Sequence, residues 1–142
     1  MTPADMAKIH AAAFKQSRPW SVAEISDLLG SPLVRAETAA HGFALWRAIA
    51  GEAELLTIAV APETQRRGIG TDLMRRFLQN AADMADVAFL EVAADNSSAI
   101  ALYQRHGFAP SGLRKAYYPR PGGHNVDAIV MRNDDLANTN AS

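Results

Sequence analysis

A glutamate set inside an apolar run is the first residue in this chain with chemistry to offer. Glu91 interrupts Phe89-Leu90-Glu91-Val92, and a carboxylate in such a strand is costly to bury unless it is paired or used. It suits a general base; the alternative is a strand-edge glutamate facing solvent. Glu54, early in the preceding apolar run, is a second or assisting carboxylate with the same alternative. Tyr103 follows Asn96 by seven residues, so on a helix beginning there the two share a face, two turns apart. A phenol so placed is a candidate proton donor, although a helical tyrosine also serves as plain core. Upstream, Gln65-Arg66-Arg67-Gly68-Ile69-Gly70-Thr71 joins a strand-like segment to a helix-like one. Two glycines there let the backbone approach a ligand, and the helix start favours phosphate. It is not a P-loop, because no lysine follows Gly70, and Leu73 stands where a dinucleotide fingerprint needs Gly or Ala. A ligand-free glycine turn remains open for this loop taken alone.

The elements that must position these residues are legible from period and punctuation. Thr2 and Pro3 mark one helix start, and Ser21 with Glu24 forms a capping box at a second, with Trp20 and Ile25 placed as a hydrophobic staple. That helix should stop near Gly30-Ser31-Pro32. Residues 43–49 and 54–60 read as strands separated by a turn around Gly51. Leu73, Phe77, Leu78 and Ala81 predict a helix over about 70–84. Residues 87–92 read as a buried strand, 97–106 as a helix stopped by Gly107, and 108–115 and 126–131 as the last strands. A Pro/Gly-rich loop holding Tyr117-Tyr118-Pro119 and Gly122-Gly123 joins those two. The order is roughly ααβββαβαββ, which predicts a mixed α/β sandwich. Residues 1–132 form one domain, and the polar tail 133–142 is expected to fray.

Composition narrows the function classes. The 142 residues suit a single domain, and 49 % hydrophobic with 20 % charged is ordinary globular composition. At a net charge of −1 there is no broad basic field for a nucleic-acid backbone. The absence of cysteine excludes disulfides, thiolate metal sites and thiol nucleophiles. His10, His41, His106 and His124 show no ligand spacing, so no metal is expected. With no signal-peptide core and no apolar stretch long enough to span a membrane, the expected location is the cytoplasm.

Taken together, these segments resemble a known superfamily. Ile58-Ala59-Val60-Ala61-Pro62 leading into Gln65-x-x-Gly68-x-Gly70 resembles the acetyl-CoA pyrophosphate loop of the GCN5-related N-acetyltransferases. Leu90-Glu91-Val92, Asn96 to Tyr103 and Gly107-Phe108 are similar to its other signature segment. Pro19-Trp20-Ser21, Tyr117-Tyr118-Pro119 and Asp127-Ala128-Ile129-Val130-Met131 fit its ribosomal-protein-alanine branch. The resemblance spans nearly the whole chain, and is weakest over residues 31–51.

The resemblance implies a central mixed sheet with helices on both faces and a V-shaped splay between the two middle strands. It implies acetyl-CoA as co-substrate, with the backbone of Ile58, Ala59 and Val60 paired to the pantetheine arm. Gly68, Ile69, Gly70 and Thr71 would hold the pyrophosphate, Arg66 and Arg67 would flank it, and Asn96 would contact the cofactor. Glu91 would accept the amine proton through water, and Tyr103 would protonate the leaving thiolate. It implies as partner a protein N-terminus, that of a small-subunit ribosomal protein, with Tyr117 and Tyr118 shaping the peptide side. A magnitude favours such an acceptor: at pH ~7.5 neutralising a lysine costs about 4 kcal/mol, an α-amine under ~1 kcal/mol. A relative acting on a small amine, an antibiotic or a lysine is the alternative, as is a non-catalytic acyl-CoA-binding module, which would have no use for Glu91 and Tyr103. Oligomeric state stays open.

Overall fold

Both helix starts form as capping boxes. Thr2 Oγ1 accepts from the Asp5 amide while Asp5 accepts from Thr2 N–H, opening α1 (Pro3–Ala13). Ser21 and Glu24 do the same for α2 (Val22–Leu29), and Trp20 and Ile25 join one apolar cluster as the staple requires. The computed structural model describes residues 1–14 and 18–137. After the two helices come β1 (Val34–Ala39), β2 (Gly42–Ile49) and β3 (Glu52–Val60), then α3 (Ile69–Ala82), β4 (Val87–Ala93), α4 (Ser97–Arg105), β5 (Ala109–Tyr118) and β6 (Val126–Asn133).

One six-stranded sheet runs β1-β2-β3-β4-β6-β5. The β3–β4 pair is parallel and its neighbours are antiparallel, so the sheet is mixed. Helices α1 and α2 cover one face through Met6, Ile25, Phe43 and Leu45. On the other face, Leu73, Phe77 and Leu78 of α3 pack with Trp46 and Leu90, and Leu102 of α4 joins them. The central β2 is buried on both faces, as its continuous apolar run requires. No helix among the described residues is long and apolar enough to cross a membrane.

Three expectations need amendment. β1 is a strand whose residues the pattern does not single out. It is a sheet edge with only Glu37 buried, so Val-Arg-Ala-Glu-Thr-Ala shows no apolar alternation. Tyr117 and Tyr118 lie in β5 rather than in the following loop, carried there past a register irregularity and a positive φ of 50° at Ala116. The boundary at 132 falls inside β6: Asn133 is buried and Leu136 joins the core, so the tail expectation narrows to 138–142, outside the described residues.

His10 fixes the corner between the first two helices. Its ring stacks on Phe14 at 4.4 Å and on Trp20 at 5.0 Å, and its Nδ1 accepts from the Trp20 amide at 3.3 Å. Burial lowers its pKa to about 4, so the ring is neutral at pH 7. The unfolded chain therefore takes up a proton near pH 6.5 that the folded chain refuses until about 4. Stability from this group is complete above pH 6.5 and falls as pH drops through that window, by up to about 3 kcal/mol. Urea titrations of the wild type and of His10→Phe, which keeps a ring in the stack, should show a shallower pH dependence for the variant between pH 6.5 and 4. Parallel curves would contradict it.

Candidate active site

The two middle strands start together and then separate. β3 pairs with β4 only where Glu52, Ala53 and Glu54 face Val87, Ala88 and Phe89. Past that point residues 55–60 and 90–93 are not paired with each other. A bulge accompanies the change: Leu45 stands opposite Thr57 and Trp46 opposite Leu55, leaving Leu56 as the extra residue. Bulges bend a strand and sharpen its twist. The phase of burial shifts across it, since Ala53 and Leu55 face the α3 side before it and Ile58 and Val60 face that side after it. β3 thus stays in the sheet with β2 while turning from β4, and leaves main-chain groups for an extended ligand.

Between the separated strands lies a cleft of about 190 Å³ that brings Glu91, Asn96 and Tyr103 together with residues 55–58. Glu91 projects from β4 with its side chain 24 % exposed, and its Oε1 lies 2.9 Å from Arg114 Nε. Arg114 reaches it diagonally from β5 across β6, where Arg114 stands opposite Ala128 and Glu91 opposite Val130. Tyr103 is buried and meets Phe108 edge-on at 6.2 Å. Burial, and then Tyr118 nearby, raises its pKa above the usual phenol value, so the hydroxyl keeps its proton at neutral pH. Asn96 caps α4, its Oδ1 accepting from the Ala99 amide, which leaves its NH2 to donate toward the cleft. Its capping duty accounts for the Asn96-Ser97-Ser98 sequence.

The glycine turn lies at the end of the unpaired stretch of β3. Gly68 adopts φ 80°, a left-handed conformation that glycine takes freely, and starts α3 without any side-chain cap. The first helical bond is Asp72 N–H to Gly68 O, so the amides of residues 69–71 have no intrahelical acceptor. A β-carbon on Gly70 would sit 3.6 Å from Leu102 and 4.0 Å from Val60, which places this helix start against α4 and β3. Arg66 and Arg67 are exposed and form no ion pair among the described residues. Orphan amides, a helix N-terminus and two cations suit a pyrophosphate, so these residues fit acetyl-CoA.

Glu54 is placed elsewhere. Its Oε1 accepts from both Nε and Nη2 of Arg47, at 3.0 and 2.7 Å, and it does not line the cleft. Among the described residues no cluster of three or more His, Asp or Glu could hold a metal ion.

A mixed sheet opened between its middle strands, with a glycine turn beside the opening and a carboxylate and a phenol lining it, is the frame of an acetyl-transferring enzyme. The chain belongs to the acetyltransferase (GNAT) family, whose profile matches residues 6–108, and it is an acetyl-CoA-dependent N-acetyltransferase. It is 42 % identical over 90 residues to the ribosomal protein bS18-alanine N-acetyltransferase of Salmonella typhimurium, a match spanning 63 % of this chain and 60 % of that protein. Over 137 residues it is 38 % identical to the N-alpha-acetyltransferase RimI of Mycobacterium tuberculosis, covering 90 % of this chain and 84 % of that one. The crystal structure of the ribosomal-protein-alanine N-acetyltransferase from Escherichia coli superposes with a TM-score of 0.83 at 29 % identity, over 92 % of this chain and 86 % of that one.

Several cleft residues are not evident from spacing. Arg114, Arg120 and His10 all line or touch the site. Arg114 meets Glu91 only because β6 intervenes between β4 and β5, and His10 reaches the cleft only through the α1–α2 corner. Tyr118, which the resemblance sets on the peptide side, also lines the cleft. In the structure burial, then the charge of Glu91, raises its pKa.

Gly70→Ala separates packing from ligand contact. The space around it is ordinary van der Waals distance, so the variant should keep its thermal midpoint within a few degrees. Its acetyl-CoA affinity by calorimetry should fall about tenfold or more, the size of one lost close contact. Unchanged affinity would show that the backbone at Gly70 does not touch the ligand.

Proposed function

We propose that the enzyme acetylates the N-terminal α-amine of a protein, and that this protein is a small-subunit ribosomal protein. The observation that carries this reading is the placement of Glu91 and Tyr103 on one cleft between two unpaired strands. The names of the relatives support the acceptor class. Acetyl-CoA supplies an activated acetyl group whose carbonyl carbon bonds to the amine nitrogen as the C–S bond breaks.

The chain's own residues then have three tasks. The amides at 69–71 with Arg66 and Arg67 hold the pyrophosphate, and the free edge of residues 58–60 aligns the arm that bears the thioester. Glu91 takes the proton from the attacking amine through a water molecule. Tyr103 gives its proton to the departing thiolate, a role suited to a phenol that burial keeps protonated. Asn96 directs its amide NH2 to the cofactor. An α-amine is already partly neutral near pH 7.5, so a surface-linked carboxylate with one water is base enough. The cytoplasm, where ribosomal proteins are made, is the setting this reading requires.

Mass spectrometry tests both the acceptor and the roles. After incubation with acetyl-CoA, small-subunit ribosomal proteins and matched peptides should be acetylated at free N-termini, and not when the N-terminus is blocked and lysines are free. Product confined to lysines or to small amines would overturn the acceptor. Glu91→Gln and Tyr103→Phe should each lower kcat by about 10²- to 10⁴-fold while acetyl-CoA affinity stays near wild type. Unchanged turnover in both would remove these roles.

A further inference from the structure

One ion pair at the cleft differs from the other surface charges. Arg120 engages Asp95 with both arms of its fork: Nε lies 2.9 Å from Oδ2 and Nη2 lies 2.9 Å from Oδ1. The Arg120 side chain is 11 % exposed, against 34 % or more for every other arginine in an ion pair among the described residues. Bidentate, charge-assisted pairs of this kind fix orientation as well as distance.

The pair joins two segments far apart in sequence. Asp95 belongs to the turn between β4 and α4, and Arg120 to the loop after β5. A second tie runs beside it: Ala94 N–H donates to Asp127 O of β6 at 2.9 Å, and Asp127 Oδ1 accepts from the Ala116 amide of β5 at 2.8 Å. Arg120 also donates through Nη1 to Pro119 O, and its Cζ lies 5.8 Å from the centre of the Tyr118 ring. Tyr118 and Arg120 line the cleft with Glu91, His10 and Trp20, whereas no residue of the glycine turn does.

We propose that the Asp95–Arg120 pair is a clasp over the acceptor side of the cleft, positioning Tyr118 beside Glu91 and thereby setting affinity for the acceptor amine but not for acetyl-CoA. Both are positioning residues: they act through Tyr118 and the loop that carries it. Asp95 adjoins Asn96, yet the cap at Ala99 and the packing of α4 on α3 hold the cofactor side without the clasp. The inference rests on the acceptor reading above.

Two measurements test it. In the first, steady-state kinetics with the acceptor peptide compare Asp95→Asn, Arg120→Gln, Arg120→Lys and the double variant Asp95→Asn/Arg120→Gln. Loss of a bidentate contact should raise the peptide KM about tenfold in either single neutral variant, with kcat and the acetyl-CoA KM near wild type. The double variant should be no worse than either single one, and Arg120→Lys, which keeps the charge, should fall between. Equal effects on both KM values, or additive losses, would overturn the clasp. The second measurement needs no acceptor: hydrogen exchange of the amides over residues 116–126 should be about tenfold faster in Asp95→Asn than in wild type. Unchanged exchange would overturn the clasp whatever the substrate. Faster exchange in a protein whose wild type acetylates no peptide would instead sink the acceptor reading and leave the clasp standing.

Discussion

The whole site depends on where the β3–β4 pairing stops. Three parallel residue pairs hold the strands together at one end, and beyond Glu54 and Phe89 there are none. An unpaired gap in the middle of a sheet is unfavourable unless neighbouring structure holds it open and a ligand or water satisfies it. The bulge at Leu56 bends β3, and packed layers on both faces keep it from closing back. The far side is pinned by a buried carboxylate: Glu37 accepts from Trp46 Nε1 at 3.0 Å and Asn80 Nδ2 at 2.9 Å, joining β1, β2 and α3. Two donors on one carboxylate oxygen fix the three elements against one another.

Charge is then sorted along the opening. Positive potential collects at the start of α3, where orphan amides meet Arg66 and Arg67. Inside the cleft Glu91 stands with a phenol that burial keeps protonated and an imidazole that burial keeps neutral, and Arg18 and Arg120 line its wall. On the proposed reading the anionic cofactor and the basic acceptor meet opposite ends of one gap, with Glu91 and Tyr103 between them.

Much of this was legible in the sequence, and for identifiable reasons. Capping boxes at Thr2 and Ser21, the stripe from Leu73 to Ala81 and the glycine turn are local patterns whose physics is complete within a few residues. Glu91, Asn96 and Tyr103 stood out because each breaks or punctuates such a pattern, and the structure places all three on one cleft. β1 was not placed by residue because an edge strand that buries only Glu37 carries no alternation. Glu54 reads as an alternative or assisting carboxylate because position along a strand does not reveal a partner, and Arg47, opposite it on β2, supplies one. Tyr117 and Tyr118 read as loop because an irregular, exposed edge strand looks like one. Contacts made across an intervening strand, as Arg114 makes with Glu91, need the strand order β4-β6-β5 first.

The claim that the splay receives the acyl donor is tested most directly by amide NMR shifts on adding acetyl-CoA to the wild-type protein. The account predicts the largest changes at the free edge of residues 57–60 and at residues 68–71, with β1 and the β1–β2 pairing unmoved. Changes at the glycine turn alone, with residues 57–60 silent, would mean that the gap between β3 and β4 is not the donor's seat, and the account would fail at its centre.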